Sequence, residues 1–277
     1  MDNTSQIDYW NGAAGQKWVR DADRMDVMLA PFAEAIVAPA LPSPGQAVID
    51  IGCGAGALSL SIKASAANVS VTGVDVSVPL IELAKKRSAA VGAGIEFIVA
   101  DASVWKPEEP VDLVVSRFGV MFFADPVAAF VNIHAGVKAK GRLRFACWRP
   151  LKENPWAMLP LQVAMPLLKT PPTPPEPGTP GPFAFGDLNH IRKILVESGW
   201  SNISIQPWDG DLVLPGGSAS ETADFMLEIG PLSRAITEQD VDLSAVKAAL
   251  IEALQGLAGD DGRTRLKAAA WIVEAEA

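Results

Sequence analysis

The chain has 277 residues, of which 49% are hydrophobic and 20% are charged, and its formal net charge is −9 at pH 7. This acidity argues against non-specific binding to nucleic acid or to an anionic membrane, because both need a basic surface. No apolar run approaches the roughly 20 residues of a membrane-spanning helix. The N-terminus, MDNTSQIDYW, lacks the basic and apolar regions of a secretion signal. We therefore expect a cytoplasmic, globular protein.

Strand and helix signals alternate along the first half of the chain. Residues 17–38 have helical apolar spacing, which we expect Pro31 to break, and LPSPG at 41–45 precedes the first strand. The sequence then predicts strands at 47–51, 69–75, 95–100, 111–116 and 141–148, with helices at 56–66, 78–91 and 126–137. Repeated strand–helix–strand units imply an α/β fold with a doubly wound parallel sheet. Ligands of such sheets lie beyond the carboxyl ends of the strands.

The stretch 150–186 interrupts this alternation. It contains TPPTPPEPGTPGPF, which is too rich in proline for a helix or a central strand, and its tryptophans and methionines show no helical face. It is therefore an inserted linker or an inserted lid. Beyond it, the sequence predicts helices at 188–198, 219–229 and 241–257, extended segments at 201–207 and 211–214, and a last strand at 266–275.

The segment VIDIGCGAGALSL, residues 48–60, has the strand–turn–helix pattern of a nucleotide-type cofactor site. Its glycines fit two patterns. Gly52, Gly54 and Ala57 satisfy the dinucleotide fingerprint G-x-G-x-x-G/A, whereas Gly52, Gly54 and Gly56 form G-x-G-x-G. The glycines alone therefore do not choose between cofactors.

The acidic residues at the strand ends help with this choice. Asp50, Asp75 and Asp101 lie at or just beyond the ends of the first three predicted strands. A carboxylate beside the glycine turn would repel the pyrophosphate of a dinucleotide, which binds at a helix N-terminus. S-adenosylmethionine has no phosphate and is net positive. The sign of the charges therefore favours S-adenosylmethionine over NAD.

DIGCGAG, GVDVS, ADAS and DLVVSRFGVMFFADPVAAF resemble the motifs of class I S-adenosylmethionine-dependent methyltransferases. The greatest similarity is to bacterial small-molecule methyltransferases related to the ubiquinone-biosynthesis C-methyltransferases. This resemblance implies a seven-stranded, mostly parallel sheet of order 3-2-1-4-5-7-6, with an antiparallel seventh strand. It divides the chain into an N-terminal helical cap (1–44), the cofactor-binding half (45–149), the insertion (150–186) and a C-terminal half (187–277). VKAKGRL at 137–143 departs from the family's Pro-Gly-Gly, at an expected surface turn.

The resemblance also implies roles for single residues. The turn glycines would let the backbone approach the cofactor, and Asp50 would face its ammonium group. Asp75 would accept hydrogen bonds from both ribose hydroxyls, and Asp101 with the backbone of Ala102 would bind the adenine. The full set of expected cofactor-binding residues is Trp10, Trp18, Asp50, Gly52, Cys53, Gly54, Gly56, Asp75, Val76, Asp101, Ala102, Ser116 and Arg117.

The methyl acceptor is expected beside the fourth strand and the insertion. Arg117 is either the ion-pair partner of an acidic neighbour or an anchor for a carboxylate, and the aromatic residues near it are either substrate contacts or core. The expected substrate-binding residues are Arg117, Phe118, Met121, Phe122, Trp148, Asn154 and Trp156.

No catalytic side chain and no metal site are expected. His134 fits a core or boundary position and His190 a surface or cap position, and the two distant cysteines with two histidines do not make a zinc site. The hypothesis is therefore methyl transfer from S-adenosylmethionine to a small, largely apolar acceptor, without a dedicated protein base and with S-adenosylhomocysteine as product. The alternatives are a catalytically silent S-adenosylmethionine-binding protein and, disfavoured by Asp50, an NAD-dependent oxidoreductase.

Overall fold

A computed structural model describes residues 3–40, 42–66, 68–173, 175–176 and 178–277. Seven strands form one sheet in the order β3-β2-β1-β4-β5-β7-β6. Strand β7 is antiparallel to β5 and β6, and the other pairs are parallel. This confirms the predicted sheet. The strands are β1 (Ala47–Ile51), β2 (Ser70–Asp75), β3 (Glu96–Val99), β4 (Val111–Arg117), β5 (Val137–Trp148), β6 (Ser201–Val213) and β7 (Arg265–Glu276).

Helices cover both faces of the sheet. In chain order they are α1 (Thr4–Asn11), α2 (Ala13–Arg20), α3 (Ala22–Ala40), α4 (Ala57–Ser65), α5 (Val78–Ala90), α6 (Pro126–His134), α7 (Pro155–Ala164), α8 (Leu188–Glu197), α9 (Ala219–Glu228), α10 (Gly230–Thr237) and α11 (Leu243–Gln255). Right-handed crossovers place α4 and α6 on opposite faces, because they lead towards opposite edges of the sheet. Helix α3 packs on α4, and α8 packs on α6.

The central strands are buried on both faces. Four of the five residues of β1 are buried, as are five of the seven residues of β4, as expected for parallel strands with helices above and below. In β1 the single charged residue is Asp50, which is 1% exposed. A carboxyl group at such a place needs a functional or structural reason.

The helix predicted over residues 17–38 breaks at Asp21, between α2 and α3, and not at Pro31. Helix α3 runs unbroken through Pro31. Pro31 removes one backbone donor, but Met28, Phe32 and Ile36, on the buried face of α3, are almost completely inaccessible to solvent. Burial of this face outweighs the missing hydrogen bond.

The insertion also contains a helix that the sequence did not reveal. Helix α7 has Pro155 in its first turn, where proline is favoured, and Pro160 in its interior. Its buried residues include Trp156 and Leu161, and it packs against α10, α11 and β7. The absence of a helical face was therefore a wrong prediction for residues 155–164. Between 168 and 187 the described residues form no helix or strand, in agreement with their proline content.

Two further boundaries differ from the prediction. The two extended segments near 201–214 are one strand, β6, because all of it lies along β7. The expected turn at 137–143 belongs to β5, which contains an irregularity near Lys140, whose φ is 65°. Within the described ranges, no helix is long and apolar enough to cross a membrane. The same residues contain no group of three or more His, Cys, Asp or Glu side chains that could hold a metal ion.

Candidate functional site

The glycine turn links the carboxyl end of β1 to the start of α4. Gly52, Gly54 and Gly56 have φ values of 64°, 53° and 83°, in the region that L side chains rarely adopt. A Cβ atom on Gly52 would lie 2.7 Å from Cα of Gly119, whereas one on Gly54 would meet no atom within 4 Å. The turn is therefore packed against backbone at Gly52 and open at Gly54.

Asp50 lies just before this turn with half of its carboxylate unsatisfied. Its Oδ2 accepts a hydrogen bond of 2.6 Å from the hydroxyl of Ser59 on α4. Its Oδ1 is buried and has no hydrogen-bond partner in the described part of the chain. Burial raises the pKa of Asp50 to about 7, against the opposing effects of the Ser59 hydrogen bond and the charge of Arg117. A ligand with a cationic hydrogen-bond donor would offset the free-energy cost of burying this unpartnered carboxylate oxygen.

Asp75, at the end of β2, holds the glycine turn in place. Its Oδ2 accepts from the backbone N–H of Gly54 and its Oδ1 from that of Ser77, both at 2.8 Å. Burial raises the pKa of Asp75, and these backbone hydrogen bonds oppose the rise. Each carboxylate oxygen can accept a further hydrogen bond. The expected contact with ribose hydroxyls is therefore compatible with this arrangement and stays a prediction.

Asp101 completes the row of carboxylates beyond the strand ends. Its Oδ1 accepts from the backbone N–H of Ser103 at 2.9 Å and from Nδ2 of Asn3 at 3.2 Å. Asn3 also accepts from the N–H of Ala124 at 3.2 Å. The neighbouring Ala102 is buried, and its carbonyl accepts from Asn132. Asn3 thus ties the N-terminal cap to the expected adenine-binding segment.

The N-terminal cap also forms hydrogen bonds to the residues that follow β2. Asn11 donates to the carbonyl of Val76 and accepts from the N–H of Val78, both at 2.9 Å, and Ser77 donates to the carbonyl of Trp10. Helix α1 therefore lies at the end of β2. Sequence reasoning missed Asn3 and Asn11, and their only signal was the position of an asparagine at each end of a short helix.

Trp10 and Trp18 face each other edge-on across the cap. Their ring centroids are 5.7 Å apart, and Trp10 also meets Phe122 edge-on at 5.3 Å. Phe122 belongs to the turn that follows β4. The structure therefore places Trp10 beside the turn that follows β4 and Trp18 against Trp10, and contact of either tryptophan with a cofactor stays a prediction.

Arg117 forms the ion pair that was one of its two predicted roles. Its Nη2 lies 3.0 Å from Oδ1 of Asp26 on α3, whose Oδ2 lies 2.8 Å from Nη1 of Arg87. Ser116 is fully buried, and its hydroxyl accepts from the N–H of Gly119 at 3.1 Å. Both residues therefore stabilise the junction of β4, α3 and the turn, and their predicted ligand contacts stay predictions.

Several expected substrate residues form one aromatic cluster. Phe118 stacks on Trp148 with ring centroids 4.1 Å apart and planes inclined by 11°, and Trp156 lies 4.9 Å from Trp148. Phe118 has a φ of 62°, which costs a non-glycine residue about 1–2 kcal/mol. Met121 is buried beneath, and its sulfur accepts from the N–H of Trp148 at 3.4 Å. The cluster lies at the carboxyl ends of β4 and β5 and belongs to the buried hydrophobic core, which was one of the two predicted roles of these aromatic residues.

The side chains of two predicted ligand residues are buried in structural contacts. Asn154 is fully buried, its Oδ1 accepts from Ala269 and Trp156, and its Nδ2 donates to the carbonyls of Arg149 and Pro150. Its amide therefore joins the insertion to β7 and has no group left for a substrate. Cys53 packs with Phe97, and burial raises the pKa of its thiol, so that the thiol stays protonated.

Neither histidine approaches the carboxylates. His134 is the last residue of α6 and meets Trp200 edge-on at 5.0 Å. The nine residues of α6 place it roughly 12 Å along the axis from the end that follows β4. His190 packs edge-on against Phe185. His134 is half-buried, in agreement with its predicted boundary position, whereas His190 is half-buried in the first turn of α8, whose N-cap is Asp187, and does not lie at the predicted surface or cap position.

Comparison with known proteins identifies the central segment. A family model described as a methyltransferase domain matches residues 48–141. Phosphoethanolamine N-methyltransferase 1 of Arabidopsis thaliana is 33% identical over 101 residues, which is 36% of this chain and 20% of that protein. Trans-aconitate 2-methyltransferase of Streptomyces coelicolor is 33% identical over 90 residues, which is 31% of this chain and 30% of that protein. The matched segment thus spans less than a third of either relative.

Solved structures show the same fold over most of the chain. The YcgJ protein from Bacillus subtilis superposes with a TM-score of 0.56 and 14% identity, covering 88% of this chain and 97% of that one. Phosphoethanolamine N-methyltransferase 2 of Haemonchus contortus, in complex with phosphomonomethylethanolamine and S-adenosylhomocysteine, gives 0.53 and 18% identity over 88% and 52%. At these identities the likeness establishes the fold.

Proposed function

We propose that the protein transfers a methyl group from S-adenosylmethionine to a small-molecule acceptor, a proposal that the match of residues 48–141 to a methyltransferase domain supports. The unpaired, buried Oδ1 of Asp50 beside the open glycine turn carries the proposal. This oxygen suits an ammonium donor and repels phosphate. The three carboxylates Asp50, Asp75 and Asp101 at one end of the sheet favour the same cationic ligand.

The residues present fit this cofactor. Asp50 would bind its ammonium group, Asp75 its ribose, and Asp101 with Ala102 its adenine. Gly54 leaves room for a close approach, because nothing fills the place of its absent Cβ. Trp10, Trp18, Cys53 and Val76 would line the same cleft. When bound, S-adenosylmethionine supplies an electrophilic methyl group on a sulfonium.

The acceptor that fits best is small and largely apolar. Phe118, Trp148 and Trp156 form an aromatic wall that excludes water, with Met121 and Phe122 adjoining it. The positive charge of Arg117 is balanced by Asp26. Orienting an acceptor against such a wall can remove roughly 7–11 kcal/mol of an activation barrier. Alignment and exclusion of water are therefore the main contributions of these residues.

Binding calorimetry tests the cofactor assignment. We expect S-adenosylmethionine and S-adenosylhomocysteine to bind and NAD not to bind measurably, because a pyrophosphate would meet Asp50. Comparable affinity for NAD would contradict the proposal. Incubation of the cofactor with a panel of acceptors, with S-adenosylhomocysteine as the measured product, then separates an enzyme from a catalytically silent binding protein.

Methyl transfer is expected to proceed without a histidine base. His134→Ala and His190→Ala should each keep turnover within about tenfold of the wild type, because a true general base contributes about 10²–10⁴-fold. Steady-state kinetics with an identified acceptor would measure this. A thousandfold loss in either variant, with folding and cofactor binding retained, would show that a base is required.

A further inference from the structure

Ser59 is a buried hydroxyl residue whose only proton is committed to one partner. It lies in the first turn of α4 and is completely inaccessible to solvent. Its Oγ donates to Oδ2 of Asp50 across 2.6 Å. A serine hydroxyl has a single proton to donate, so its donor capacity is fully used on this carboxylate.

The backbone of Asp50 cannot move to compensate for a change in its side chain. Asp50 is paired with Gly73 of β2 on one side and with Val115 of β4 on the other, in the centre of the parallel sheet. Only rotation of the side chain can alter which oxygen faces a ligand. The hydrogen bond from Ser59 opposes this rotation, and the other oxygen, Oδ1, is left without a partner in the described residues.

We propose that Ser59 is a positioning residue for cofactor binding, which holds Asp50 by Oδ2 so that Oδ1, which accepts no hydrogen bond from the described residues, is turned towards the ammonium group of the cofactor. The inference rests on the proposed function. It extends the glycine motif to a helix residue nine positions after the aspartate, for which the sequence offers no signature.

The charged groups around Asp50 support this role. Asp75 on β2 raises the pKa of Asp50, whereas Arg117 on β4 lowers it, and Cys53 in the turn is protonated. Among the interactions that favour the ionised carboxylate, the hydrogen bond from Ser59 has the largest effect. Loss of the hydroxyl should therefore raise the pKa of Asp50 above its wild-type value of about 7.

The test is titration of S-adenosylhomocysteine by calorimetry between pH 5.5 and 7.5 with Ser59→Ala. Ser61→Ala is the matched control, because the Ser61 hydroxyl lies on the same helix and donates to the carbonyl of Ala57. We expect Ser59→Ala to bind at least about tenfold more weakly at pH 7.5, because one charge-assisted hydrogen bond is lost. The pH at which the affinity of Ser59→Ala increases should also be higher than in the wild type. Ser61→Ala should match the wild type in both affinity and pH profile.

Ser59→Thr keeps a hydroxyl at this position and should recover part of the affinity and the wild-type pH profile. A purely structural loss would not shift the pH profile. If the wild type binds S-adenosylhomocysteine and Ser59→Ala matches Ser61→Ala in affinity and profile, the positioning role is wrong and the proposed function stands. If the wild type fails to bind S-adenosylhomocysteine, the proposed function is wrong and this inference falls with it.

Discussion

Asp50→Asn is expected to stabilise the cofactor-free protein and to weaken cofactor binding. The pKa of Asp50 is raised by burial from 3.8 to about 7, so the folded protein holds this proton more tightly than the unfolded chain. The carboxyl group therefore destabilises the fold progressively as the pH rises from about 4 to about 7, and the full penalty persists above that range. Asparagine cannot ionise, and its carbonyl can still accept from Ser59.

At pH 8 the variant should unfold with a free energy about 1–3 kcal/mol larger than that of the wild type. This corresponds to a melting temperature about 3–10 °C higher for a chain of this size. At pH 5 the gain should be smaller, because the wild-type carboxyl group is then mostly protonated. Asp112→Asn is the control, since the pKa of Asp112 is lowered by Lys138 and the N–H of Ala47. That variant should show no gain.

Asp50→Asn should also bind S-adenosylhomocysteine at least about 30-fold more weakly than the wild type at pH 7.5. Truncating one partner of a buried charge pair costs about 2–5 kcal/mol. In the wild type, affinity should rise with pH up to about 7, as Asp50 ionises while the ligand's amino group stays protonated. Asp50→Asn should lose this dependence. An unchanged melting temperature would show that the Asp50 carboxylate does not destabilise the fold. An unchanged affinity would show that it does not contact the ligand.

Gly52→Ala is expected to cause the largest loss of stability in the glycine turn. Its Cβ would lie 2.7 Å from Cα of Gly119, and a Cβ on Gly119 would in turn lie 2.7 Å from the carbonyl of Ile51. The two segments are thus in backbone contact and cannot separate without moving a strand end. With the added cost of a left-handed φ, we expect a loss of about 3–5 kcal/mol in the free energy of unfolding, measured by chemical denaturation.

Gly54→Ala is the matched control, with the same kind of backbone conformation and open space where its Cβ would lie. It should lose only about 1–2 kcal/mol of stability. The new methyl group would point into the proposed cofactor cleft, so S-adenosylhomocysteine should bind about tenfold more weakly or worse. Equal destabilisation by the two substitutions would contradict the backbone contact at Gly52.

The sheet and the row of carboxylates could be predicted because they depend on local patterns. Alternation of strands and helices indicates a parallel sheet, and carboxyl ends of parallel strands meet at one edge. These patterns therefore predict Asp50, Asp75 and Asp101 at one edge of the sheet. The orientation of each carboxylate depends on groups distant in sequence, such as Asn3 for Asp101, and no local pattern encodes them.

Two prolines show why the sequence did not predict the full extent of α3 and the presence of α7. Pro31 and Pro160 both lie inside helices, and each removes one backbone hydrogen bond. The buried residues around them, such as Phe32 and Leu161, retain the helix because tertiary packing contributes more than a single bond. Conversely, α1 has no buried residue, and it is held by hydrogen bonds from Asn3 and Asn11 to the strand ends. Because α1 has no buried face, the spacing of apolar residues in its sequence could not predict it.

The position of β7 between β5 and β6 has a consequence for vectorial synthesis. Strand β6 emerges from the ribosome before β7, yet its ladder in the described sheet is formed with β7 alone. Until β7 arrives, the backbone donors and acceptors of β6 are open to pairing with another nascent chain. Pro207 lacks a donor in the middle of this strand, and Asn202 has a φ of 49° near its start. Both interrupt the regular edge, and such interruptions disfavour edge-to-edge pairing with another chain.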